Sequence, residues 1–174
     1  MMKQTKTHMQ HMRMKTNIQK KEIFGASLSE LYEKDVVCLK STDSISDAAT
    51  QMLEKHVGDI VIIEDRDDGK VVPIGMVTDR DIAIKSIAKM FDPESINLSD
   101  IMSKKIVTAT ENDDMSTLVK RLVDEGVSRL PIVDDTGALK GILSSKRLIQ
   151  FFAQGLCELS SISLQQQKRE EKRH

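Results

Sequence analysis

Apolar positions in this chain follow two alternating rhythms. "SISDAATQMLEKH" (44–56) sets Ile45, Ala48, Ala49, Met52 and Leu53 at helical spacing, and Ser44 with Asp47 forms a capping-box pattern at its start. "VVCLK" (36–40) and "IVTAT" (106–110) are short β-branched runs that predict strands. "DIVIIED" (59–65) and "RLPIVDD" (129–135) are continuous apolar strands. "DDGK" (67–70) and "DTGA" (135–138) are glycine turns leading into return strands at "VPIGMV" (72–77) and "LKGIL" (139–143). "DRDIAIKSIAKM" (79–90) and "SKRLIQFFAQGL" (145–156) predict the helices that close each series.

These elements form an internal repeat. "SLSELYEKDVV" (27–37) lines up with "NLSDIMSKKIV" (97–107), 70 positions later. At the same offset Ile45 matches Met115, Ala48 matches Leu118, Met52 matches Leu122, Val57 matches Val127 and Ile62 matches Ile132. The first copy then carries extra residues in "RDDGKVVP". A fixed internal period outranks other sequence signals, and two copies are too few for a solenoid. The expectation is an α+β fold of two tandem β-α-β-β-α repeats with pseudo-two-fold symmetry. Residues 1–26 are a flexible leader, 27–91 and 92–157 the repeats, and 158–174 a charged helical tail. Neither copy has many residues to bury alone, so the two should share a core. Leu156, Leu159 and Ile162 continue an apolar stripe into the tail.

The same strand-to-helix junction occurs twice, as "GMVTDRD" (75–81) and "GILSSKR" (141–147). Gly75 lets another backbone come close. Thr78 and Asp81 stand where a strand becomes a helix, and Thr78-x-x-Asp81 is a capping box in its own right. In the second copy Ser144 keeps the hydroxyl, but Lys146 and Arg147 replace the acidic end. Positive charge in a first helical turn opposes the macrodipole by roughly 0.3–1 kcal/mol per residue, so capping does not account for it. Either that helix end is solvated or an anion sits there.

A repeated β-α-β-β-α unit ending in this glycine, hydroxyl and acid pattern resembles the CBS domain, named for cystathionine β-synthase. "HVGDIVIIED", "IGMVTDRDIA" and "GVSRLPIVDDTGALKGIL" are similar to stand-alone bacterial pairs, over about residues 27–157. The resemblance implies a cytoplasmic regulatory or sensor module. Its cleft would hold an adenosine-containing ligand of the AMP, ADP or ATP class, with NAD or S-adenosylmethionine as further possibilities. No cofactor is required. The ligand-binding residues it implies are Met76, Thr78, Arg80 and Asp81, facing Ile106, Val107, Val127, Ser128 and Arg129 of the other repeat. The hydroxyl and carboxylate would contact the ribose. A second half-site would use Val37, Val57, Ser144, Lys146 and Arg147, without the ribose carboxylate. Family members that hold phosphate often carry a basic residue where this chain has Asp59; the matching residue of the second repeat is Arg129. The resemblance also implies a homodimer, with the closing-helix residues Ile82, Ile84, Ile87, Leu148, Phe151 and Phe152 and the tail stripe packing on a second copy. The alternative to a ligand sensor acting on an effector protein is a ligand-free dimerising scaffold with a vestigial cleft.

Composition narrows these readings. Lys and Arg number 26 against 27 for Asp and Glu, which gives no basic field for nucleic acid. Aromatics are 3% and Trp is absent, so no stacking platform for single strands is expected. No apolar run reaches the length of a membrane span and no signal peptide is visible, which points to a cytoplasmic location. Cys38 and Cys157 read as reduced core residues rather than a disulfide. No Ser/His/Asp or Cys/His arrangement stands out, and an enzyme is not expected. His8, Met9, His11, Met12 and Met14 are soft ligands but close no tetrahedral set, and no metal site is assigned to them. His56 reads as a helix end.

Overall fold

The structure is a computed structural model and describes residues 28–90 and 92–172. The leader and its His/Met cluster lie outside the described residues. Residues 28–152 form one compact unit, and residues 153–172 belong to a second.

A 3-10 turn at Leu28–Glu30 leads to β1 (Cys38–Lys40), α1 (Ile45–Lys55), β2 (Asp59–Asp65) and β3 (Val71–Thr78). The first closing helix follows as α2 (Asp79–Asp81), a π turn over Ile82–Ser86 and α3 (Ile87–Lys89). Then come α4 (Leu98–Ile101), β4 (Ala109–Thr110), α5 (Met115–Glu125), β5 (Arg129–Val133), β6 (Leu139–Ser144) and α6 (Ser145–Glu171). The predicted elements therefore form, and α6 runs on through the tail.

Two three-stranded sheets, β1-β2-β3 and β4-β5-β6, repeat one another in detail. Leu39 pairs with Ile62 in parallel, as Ala109 pairs with Ile132. Asp59 stands opposite Thr78 in the antiparallel pair, as Arg129 stands opposite Ser144. Each antiparallel pair slips register after the same repeat position, Ile62 in one and Ile132 in the other. Ser44 caps α1 with both bonds of a capping box to Asp47. The turn glycines Gly69 and Gly137 take φ of 76° and 83°, where a side chain would be strained.

The expected shared core takes a specific form. Among the described residues there are two apolar clusters, and each is completed by a segment from the other copy. Leu31 and Tyr32, which precede β1, pack with Leu118, Leu130, Ile132 and Leu143 of the second repeat. Leu98 and Ile101, which precede β4, pack with Ile45, Ile60, Ile62 and Val77 of the first. The backbone crosses in step: Glu33 bridges Ile142, and Ser103 bridges Met76. Tyr32 donates its hydroxyl to Glu111, and burial together with that bond pushes its phenol up to about 12.

Two expectations are corrected. Cys157 is exposed on α6 and belongs to neither apolar cluster; Cys38 is half-buried, and burial pushes its thiol up to about 11. Of the closing-helix residues expected on the surface, Leu148 is buried, while Ile82 and Phe151 pack against the cores. Ile84, Ile87 and Phe152 are exposed.

Candidate functional site

The segment crossing brings the junction of each repeat against the β-lead of the other, and a cavity opens at each meeting. The first, of about 410 Å³, is lined by Met76, Thr78, Arg80 and Asp81 of the first repeat and by Ile106, Val107, Val127, Ser128 and Arg129 of the second. All the residues assigned to the first site from the sequence thus share one wall. Asp59, Ser103, Lys105 and Gly126 complete it.

Local chemistry holds Thr78 and Asp81 in place. β3 ends at Thr78, whose Oγ1 accepts from the Asp81 N–H at 3.0 Å. Asp81 Oδ2 accepts from the Thr78 N–H at 3.1 Å and from its hydroxyl at 2.7 Å. Asp81 Oδ1 meets Lys85 Nζ at 2.9 Å, and Lys85 also donates to the Ile101 carbonyl at 2.6 Å. Burial pushes the Asp81 carboxyl up, but the bonds from Thr78 and Lys85 outweigh it and hold it below the usual carboxylate range. The capping and lining roles of this pair coexist. Arg80 has no side-chain partner among the described residues, so its guanidinium is available to an anion at the cavity wall. Lys85 was missed in the sequence, although its position four residues after Asp81 on a helix signals an ion pair.

A second cavity, of about 460 Å³, takes in Val37, Val57, Ser144 and Lys146 of the expected half-site. Arg147 does not line it; its backbone N–H donates to Ser144 Oγ at 3.2 Å at the start of α6. Glu33, Asp35 and His56 also line this cavity. His56 ends α1 in a left-handed conformation, as a helix terminus, with φ 55°. The repeat exchanges Lys105 for Asp35 at equivalent places. The first cavity therefore has three cations against two carboxylates, and the second has two against three. Between them lies an ion pair: Arg129 Nη2 is 2.6 Å from Asp59 Oδ2, and both residues line both cavities. Burial pushes the Asp59 carboxyl above its ordinary range, with Arg129 opposing the shift and Asp79 and Glu33 adding to it. Among the described residues no cluster of His, Cys, Asp or Glu could hold a metal ion. No described helix is long and apolar enough to cross a membrane.

A family model for the CBS domain matches residues 28–87 and 98–154. The chain belongs to the CBS domain family. Its two repeats form a CBS pair. An uncharacterized protein of Methanopyrus kandleri is 36% identical over 126 residues, covering 72% of this chain and 62% of that protein. A homoserine O-acetyltransferase of Methanohalobium evestigatum is 32% identical over 128 residues, covering 72% of this chain but only 24% of the enzyme. The chain thus spans less than two thirds of the length of these curated relatives. Among solved structures, the CBS pair of protein MJ0100, in complex with 5′-methylthioadenosine and S-adenosyl-L-methionine, superposes with a TM-score of 0.63. It is 23% identical, and the match covers 75% of this chain and 98% of that one; at that identity the likeness concerns the fold.

Proposed function

We propose that this CBS pair is a regulatory sensor that binds an adenosine-containing ligand in the Asp81 cavity and acts on an effector protein. The observation that carries this reading is the composition of one cavity wall. A hydroxyl and a carboxylate at a strand–helix junction share it with Ile106, Val107 and Val127 and with Arg80, whose side chain has no partner among the described residues. The carboxylate suits a ribose diol, the apolar residues suit a base, and Arg80 suits a phosphate. A volume of about 410 Å³ falls within the roughly 300–1,000 Å³ of small-molecule sites. The excess of cations favours AMP, ADP or ATP over S-adenosylmethionine or NAD. The module works in the cytoplasm as a homodimer and performs no catalysis itself.

A second reading has one observation in its favour: both oxygens of Asp81 are already engaged, by Thr78 and by Lys85. On that reading the pair is a dimerising scaffold and the junction is only a well-capped helix. Thermal shift with AMP, ADP, ATP, NAD and S-adenosylmethionine separates the two, because a ligand that binds only the native state raises apparent stability. The sensor reading expects a rise with an adenine nucleotide. It also expects Asp81→Ala to weaken binding by roughly 1.5–3 kcal/mol, about ten- to a hundred-fold, in calorimetry on folded protein. A protein indifferent to all five compounds is a scaffold.

A further inference from the structure

Asp59 and Arg129 hold equivalent positions in the two repeats and meet where the repeats join. Their side chains are 6% and 38% exposed. Arg129 Nη2 approaches to 2.6 Å, and no other group among the described residues reaches the buried Asp59 Oδ2. Arg129 is therefore the one cation paired with this carboxylate among the described residues. That cation also lines both cavities, where an anionic ligand would meet it. The other charges acting on Asp59 are acidic: Asp79 at the start of α2 and Glu33 on the crossing segment. The remaining titratable wall residues are Arg80, Asp81 and Lys105 in the first cavity and Asp35, His56 and Lys146 in the second. None of these forms an ion pair with Asp59 among the described residues. A buried carboxylate that loses its partner neutralises rather than remaining charged.

We propose that Asp59 and Arg129 form a proton-linked switch shared by the two cavities. An anionic group that draws Arg129 to itself leaves Asp59 without its counter-charge, and Asp59 takes up a proton from solvent. The proposal rests on the reading that a phosphorylated adenosine ligand binds here. Its sign follows from linkage: the complex holds more protons than the free protein, so affinity rises as pH falls. The steepest gain for one linked proton is about tenfold per pH unit.

The test is calorimetry with AMP and with ADP on the whole chain, from pH 5.5 to 8 (about the range in which the phosphate group also titrates), in buffers of differing ionisation heat. Asp59→Asn keeps shape and removes the titrating group. The phosphate and every other ionisable group are common to both proteins and cancel in the comparison. The parent should take up more protons than Asp59→Asn and show the steeper rise of affinity toward acid. Equal proton counts and equal slopes overturn the switch while leaving the ligand reading intact. If neither nucleotide binds, the ligand reading fails and the free protein decides the switch. The Asp59 carboxyl carbon, followed by NMR, should then titrate at clearly higher pH in Arg129→Met than in the parent, and near the parent in Arg129→Lys. No difference between Arg129→Met and the parent overturns it.

Discussion

Gly141 lies under the ring of Tyr32. A Cβ built there would collide with that ring and stand 2.5 Å from the Glu33 carbonyl oxygen. Gly75, its counterpart, would place a Cβ 2.9 Å from the Ser103 carbonyl oxygen and against the Met102 side chain. The glycine of each junction is therefore required by the segment crossing over it. Gly141→Ala should destabilise the fold by about 1–3 kcal/mol, in the range of overpacked cores. Gly75→Ala should cost less, since the backbone carbonyl there stands at 2.9 Å rather than 2.5 Å and the Met102 chain beside it is flexible. Urea midpoints measure both, and a Gly141→Ala midpoint equal to the parent's would refute the account. Thr78 and Asp81 were legible in the sequence because a capping box and the proposed ligand site ask for the same residue types. The Asp59–Arg129 pair was not, because alignment of the repeats makes them equivalents and hides that they are partners.

The element that decides cooperativity is the short segment before each first strand. Leu31 and Tyr32 serve the second core, and Leu98 and Ile101 the first. Each half thus loses core if the other unfolds. Tyr32 is the chain's only tyrosine and Trp is absent, so ring fluorescence reports on the second core alone. Leu98 is fully buried in the first core, and Leu98→Ala should cost about 2–5 kcal/mol. The tyrosine signal and the far-ultraviolet circular dichroism should shift together to the same lower denaturant midpoint. A tyrosine transition left at the parent midpoint would mean that the two cores unfold independently. The π turn over Ile82–Ser86 has no counterpart in α6. Lys85, in that turn, reaches Asp81, whereas Phe151 at the matching place packs into a core.

At the scale of the molecule, the exposed large apolar residues among those described lie on helices or at their ends rather than on strands. Leu53 of α1, Val119 and Val123 of α5, and Ile84 and Ile87 of the first closing helix are exposed in the compact unit, as are Ile149 and Phe152 of α6. Leu156, Leu159 and Ile162 are exposed further along α6. Leu53 and Val123 are repeat equivalents, so a two-fold arrangement offers matching faces to a second copy. Apolar surface of this kind favours association. Light scattering at tens of micromolar, a concentration chosen for about micromolar affinity, should give about twice the chain mass of 19.6 kDa. Replacing Leu53 and Val123 with Ser should lower it, and a parent already monomeric would contradict the homodimer.

The local order of elements was determined by the sequence itself. Helical spacing in 44–56, the apolar runs at 59–65 and 129–135, the glycine turns and the two junctions act through neighbours a few residues apart, and such neighbours are visible in a linear text. The repeat extended that legibility to the paired fold and to the residues that gather at the Asp81 cavity. The tertiary structure alone decided which copy each leading segment packs on, since Leu31 and Leu98 are equally apolar whichever core receives them. It alone decided that Arg147 stands off the second cavity, that Cys157 is exposed and that Leu148 is not. It also set Asp59 against Arg129, residues 70 positions apart that meet only because the two-fold arrangement brings equivalent strand starts together. Burial and ion pairing depend on distances in space, and no local pattern encodes them.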